Sequence, residues 1–177
     1  GFDGWGREAG GVGDPDRASP LSPSMTIDQR RLAFHRNLDG NVDIWTLDIA
    51  RGLLSRFTSN AANEIHPLWS PDGSRILFNS NRSGSYGLYE KSIRGAEDET
   101  LVSPTQGAPT DWSRNGQFVL VQRRDQKTSG DIWALRIGTN REPFPVVRTE
   151  FDERYGQFSP DAKWIAYEST ESGRWEV

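Results

Sequence analysis

Trp69-Ser70-Pro71-Asp72-Gly73-Ser74-Arg75-Ile76-Leu77-Phe78 decides the architecture, because degraded copies of it return along the chain at a nearly fixed interval. It reads as the end of one strand at Trp69, a tight turn, and a second strand through Ile76, Leu77 and Phe78. Pro71 presets φ for the turn, Asp72 can bond the backbone ahead of it, and Gly73 tolerates positive φ. Residues 26–34, 113–121 and 159–167 align with the stretch without gaps. Thr26 precedes Ser70 by 44 residues, Ser70 precedes Ser113 by 43, and Ser113 precedes Ser159 by 46. That spacing falls in the range of propeller blades.

After each copy comes a polar hairpin, centred on Asp39-Gly40-Asn41, Ser83-Gly84-Ser85, Thr128-Ser129-Gly130 and Ser172-Gly173. The primed turns that join such strands need φ > 0, which these residue types supply. A strand carrying an aromatic follows, as in Asp43-Ile44-Trp45 and Asp131-Ile132-Trp133. Beyond a third turn at Ala50-Arg51-Gly52 or Arg94-Gly95-Ala96 lies a fourth run, at Leu54-Ser55-Arg56-Phe57-Thr58, Glu99-Thr100-Leu101-Val102 and Pro145-Val146-Val147-Arg148. No sustained helical period competes with this reading.

The second strand of each unit is apolar on consecutive positions, as in Ile76-Leu77-Phe78, Val119-Leu120-Val121 and Ile165-Ala166-Tyr167. Side chains alternate between faces, so such runs predict sheets covered on both sides. Four-stranded antiparallel sheets stacked around an axis provide that cover, and the chain is therefore expected to be an all-β, β-propeller arc of about four blades. The expected divisions are 1–21 as the last strands of a preceding blade, 22–65, 66–108 and 109–154 as blades, and 155–177 as a partial blade. The glycine-rich stretch before Pro20 has one plausible strand, Arg7 to Gly13. Pairing of that strand with 174–177 would close a four-bladed ring, but an open arc is expected.

Trp69-Ser70-Pro71-Asp72-Gly73, then Ser80-Asn81-Arg82 and Leu88-Tyr89, resembles the TolB-type, WD-repeat-like propeller blade over almost the whole chain. Ile27 and Gln29, Arg114, and Ala162 depart from the Pro and Gly usual at those turn positions. Ile44-Trp45-Thr46-Leu47-Asp48 and Gly156-Gln157-Phe158-Ser159-Pro160-Asp161 resemble the propeller regions that follow the kinase domain in acidobacterial-type serine/threonine kinases. The resemblance implies a larger bacterial protein, with the propeller placed outside the cytoplasm, periplasmic or otherwise. No kinase signature stands in the sequence itself.

The formal charge is −4, and the 21 Lys and Arg are scattered, which leaves no electrostatic footprint for nucleic acid. No apolar run approaches a membrane span, so no membrane insertion of this segment is expected. The absence of Cys excludes a disulfide framework and a thiolate metal site.

Oxygen side chains alternate through Asn37-Leu38-Asp39-Gly40-Asn41, but the bidentate Glu that a calcium loop needs has no counterpart, and a polar hairpin recurs here in every unit. Neither His35 nor His66 belongs to a metal-binding pair. Ser70, Ser113 and Ser159 are repeated turn residues rather than one nucleophile beside a base. The expectation is no enzymatic activity, no cofactor and no metal.

His66 stands just ahead of an inner strand, where loops reach the channel mouth, which makes it a candidate ligand contact or else a structural His. Arg82, Arg123 and Arg124 follow second strands and are candidates to flank the same face, or solvated rim charges. Trp69 and Trp112 share a repeat position with Met25 and Phe158, and Trp45 and Trp133 share another, as packing residues do. The leading functional expectation is a non-catalytic module for a protein or peptide partner, with self-association through open blade faces. The alternatives are the propeller of an exported hydrolase or peptidase, and a glycan-binding propeller.

Overall fold

The computed structural model describes residues 21–94, 99–138 and 142–177. The strand expected at Arg7 to Gly13 and the turn through Gly95 and Ala96 lie outside that set.

The described chain is all β. Its first sheet holds β1 (Leu21–Met25), β2 (Arg31–Leu38), β3 (Asn41–Asp48) and β4 (Leu53–Arg56) in that order. The second repeats the meander with β5 (Glu64–Trp69), β6 (Arg75–Ser80), β7 (Gly87–Ser92) and β8 (Thr100–Ser103). The third is β9 (Ala108–Trp112), β10 (Phe118–Asp125), β11 (Ser129–Arg136) and β12 (Phe144–Val147). A fourth pairs β13 (Glu153–Phe158) with β14 (Ile165–Ser169), and one antiparallel bridge joins Ser169 to Glu176.

The repeated turn closes in the same way each time. Ser70 Oγ donates to Asp72 Oδ1 at 2.6 Å and accepts from the Arg75 amide at 3.1 Å. Ser113 and Asn115 do the same for Phe118, and Ser159 and Asp161 for Trp164. Gln29 and Ala162 take φ of 57° and 56°, close to the 64° of Gly73, so the turn survives without its glycine.

The sheets stack through three apolar layers, and the face alternation of the second strands explains their consecutive apolar residues. Ile76 and Phe78 pack with Ala33 and Ile44 of the first sheet, whereas Leu77 faces the third sheet with Trp112, Val119 and Val121. Leu120 in turn meets Ile165 and Tyr167 of the fourth. The expectation of two covered faces fails at β14: Ala166, between those two, is exposed, because its face of the sheet meets no further layer among the described residues.

Innermost strands β1, β5, β9 and β13 stand side by side in sequence order, β1 against β5, β5 against β9 and β9 against β13. Together they form the wall of a central cleft.

Candidate functional site

Every inner strand is broken at the same place. Two residues oppose one on the second strand: Ser22 and Pro23 opposite Phe34, His66 and Pro67 opposite Phe78, Pro109 and Thr110 opposite Val121, and Tyr155 and Gly156 opposite Tyr167. A bulge of this kind bends the strand and re-aims its side chains. Ser22, His66 and Tyr155 have φ of 50°, 52° and 55°, a left-handed backbone that non-glycine residues adopt only at a cost in energy. All four first residues of the bulges line the cleft, whose volume is about 1180 Å³.

Side chains of the second and inner strands brace the bulges, both within a blade and across blade boundaries. The His66 amide donates to His35 Nδ1 at 3.4 Å, and His66 Nδ1 lies 3.4 Å from Asn79 Oδ1. Asn79 Nδ2 then donates at 2.8 Å to the carbonyl of Gly107, just ahead of β9, and Thr110 Oγ1 donates to the Gly156 carbonyl of the fourth sheet at 2.9 Å. His35, Asn79 and Gln122 occupy equivalent places in the repeat, and the first two reach to the next blade, His35 to the inner strand at His66 and Asn79 to Gly107 just ahead of β9.

Burial holds His35 down at about 4, with the neighbouring His66 adding to the effect. Burial also lowers His66, while its contact with Asn79 opposes the shift. Neutral His35 is what its Nδ1 needs in order to accept a hydrogen bond from the His66 amide. The two rings meet edge to face, with centroids 5.7 Å apart.

The cleft brings together three of the four residues singled out in the sequence. His66, Arg123 and Arg124 line it, and His66 lies inside β5 rather than ahead of it, because the inner strand begins at Glu64 and continues through its bulge. Arg123 and Arg124 likewise belong to β10, which runs on to Asp125. Arg82 is not among the lining residues. It bonds the buried Glu64 at 3.1 Å, pairs with Glu99, and stacks over Tyr89 at 4.4 Å.

Sequence reasoning missed Ser22, Pro109 and Tyr155. The signal was present as the residue four places before each turn Ser or Thr, a position with nothing in common chemically.

Among the described residues no Asp or Glu lines the cleft. Prolines, Tyr86, Tyr155 and uncharged hydrogen-bonding groups such as Gln122 and Gln157 dominate instead. Among the described residues no group of three or more His, Cys, Asp or Glu could hold a metal ion, and neither His is bonded to a hydroxyl that it could activate. No helix among them is long and apolar enough to cross a membrane.

The sequence profile of the TolB beta propeller domain matches residues 16–177. A TolB homolog of Chlorobium luteolum is 27% identical over 167 residues, covering 92% of this chain and 36% of its own length. An uncharacterized peptidase of Bacillus subtilis is 28% identical over 109 residues, covering 60% of this chain and 16% of its own. The chain thus spans well under half the length of these curated relatives. The crystal structure of TolB from Acinetobacter baumannii superposes with a TM-score of 0.71 at 21% identity, over 87% of this chain and 38% of that one.

Proposed function

The chain belongs to the TolB β-propeller domain family, and from that premise we propose that it is a non-catalytic module that binds a protein or peptide segment in its axial cleft. The cleft carries this reading: about 1180 Å³ of space walled by prolines, tyrosines, neutral hydrogen-bonding side chains and two arginines, with no nucleophile set against a base among the described residues. Extended peptides present alternating apolar side chains and backbone amides, and a wall of this composition meets both. The module serves as the sensing or scaffolding part of a larger bacterial protein outside the cytoplasm. The kinase-receptor resemblance of 44–48 and 156–161 supports that setting.

A second reading is the substrate-filtering propeller of an exported peptidase, favoured by the likeness to the Bacillus subtilis peptidase over 60% of the chain. A photo-crosslinking amino acid placed at Gln122, challenged with a random-peptide pool and with a mixed glycan pool, separates the readings. Peptide adducts without hydrolysis are expected. Glycan adducts alone overturn the proposal, and so does peptide cleavage by the purified chain. Peptide adducts that form only as part of a longer protein cleaving the same peptides favour the peptidase setting.

A further inference from the structure

Resting on the peptide-binding reading above, we infer that Ser22, His66, Pro109 and Tyr155, the first residues of the four inner-strand bulges, are the specificity-determining contacts of the cleft, and that the peptide they read is acidic, anchored at Arg124.

The fold keeps one backbone position constant and varies its chemistry. In four sheets a bulge recurs at the same place, with a left-handed first residue in three of them, and that first residue lines the cleft each time, as do the second residues Pro23, Pro67 and Thr110. A left-handed bulge residue is ordinarily glycine, which fits without strain. Three of these are instead Ser, His and Tyr at φ of 50° to 55°. The second-strand residues opposite them, Phe34, Phe78, Val121 and Tyr167, are all apolar or aromatic, as packing requires. The bulge residues share no such class: a hydroxyl, an imidazole, a pyrrolidine ring and a phenol.

Packing accounts in part for His66, whose ring meets His35 edge to face and contacts Asn79, but not for the other two strained choices. Tyr155 is 57% exposed, and Ser22 is exposed as well. A strained backbone that holds an exposed side chain against a cavity is the arrangement expected where the side chain itself is needed.

Charge names the partner. Acidic residues outnumber basic ones by 25 to 21 in the chain, yet among the described residues no carboxylate lines the cleft and two arginines do. Arg123 is held over Trp133 at 4.4 Å. Arg124 is exposed and its side chain makes no hydrogen bond or ion pair among the described residues, so its guanidinium is available to a carboxylate.

A random-peptide phage library selected on the 177-residue chain supplies the probe. The enriched peptide is then measured by fluorescence polarisation against Tyr155→Gly, His66→Gly and Arg124→Ala, with Lys163→Ala on an exposed turn as the control. Enriched sequences should be rich in Asp and Glu. Each of the three variants should weaken binding by about tenfold or more, the scale of a principal contact, and Arg124→Ala should also flatten its salt dependence. Thermal midpoints decide what the bulge residues are for. Tyr155→Gly should leave the midpoint unchanged or raise it, since glycine relieves the backbone.

A lowered midpoint with binding retained makes the bulge side chains structural and overturns the inference. Enrichment of peptides without acidic residues overturns the acidic partner. Peptides insensitive to all three variants, but lost in the cleft-filling Gln122→Trp, overturn the inference while the peptide-binding reading stands. Failure to enrich any peptide overturns both.

Discussion

Trp69 shows how a single side chain joins two blades. Its ring is 5% exposed, it packs in the layer between the first and second sheets, and Arg31 of the first sheet lies over it at 5.4 Å. Arg75 repeats the contact over Trp112 at 5.5 Å, so a cation from one blade caps the aromatic of the next. Trp69→Ala should cost about 3 to 5 kcal/mol, the range for deleting a large buried aromatic. Chemical denaturation checks this, and a loss below about 1 kcal/mol would show that the layer does not depend on it. His35 makes a second prediction at this scale. Its folded value of about 4 lies below the ordinary 6.5, so between those values the unfolded chain takes up a proton that the folded one refuses. The His35 contribution is therefore full above about pH 6.5 and is lost as pH falls toward 4. Glu64, raised by its burial, works in the opposite direction. The test is thus a difference: His35→Gln should show a shallower loss of stability from pH 6.5 to 4 than the wild type.

The repeated turn is the element that sets the strand pairs, and its departures from the common pattern can be tested. Gln29 and Ala162 occupy left-handed backbone that Gly73 and Gly116 occupy without strain. Gln29→Gly and Ala162→Gly should each stabilise the chain by up to about 1 kcal/mol, less the added entropy of the unfolded glycine. The two turns lie in different sheets, so the effects should add. Ser113 is fully buried, and its hydroxyl serves the Phe118 amide at 2.9 Å. Ser113→Ala leaves that amide without its partner and should cost about 1 to 3 kcal/mol. Urea midpoints of the three variants give the comparison.

Across the whole molecule, the two outermost described sheets differ from the two between them. Trp164 is 75% exposed, although its equivalents Arg31 and Arg75 cap the tryptophan of the following sheet. Met25 is 50% exposed, whereas its equivalents Trp69 and Trp112 are 5% exposed beneath those arginines. Apolar surface left open in this way favours association. The chain as given should show concentration-dependent self-association in sedimentation velocity, weakened by Trp164→Glu. A strictly monomeric wild type at high concentration would reject the prediction.

The sequence alone determined the strand plan. Turn chemistry depends on residues two to five apart, as in Ser70, Asp72 and Arg75, and consecutive apolar residues in 76–78 and 119–121 already demanded two covered faces. The cleft was less legible. His66, Arg123 and Arg124 stood out by residue type, but Arg82 has the same type and lies with Glu64 and Glu99 outside it. Which arginine is held and which is free depends on carboxylates from other strands or turns, as Glu64 and Glu99 hold Arg82. The bulges were hidden for a related reason: a register break leaves no fixed residue type, and Ser22, Pro109 and Tyr155 share only a backbone position. Tertiary structure alone decides that position, because the bulge is defined by what lies opposite on the next strand and the cleft by four inner strands standing together.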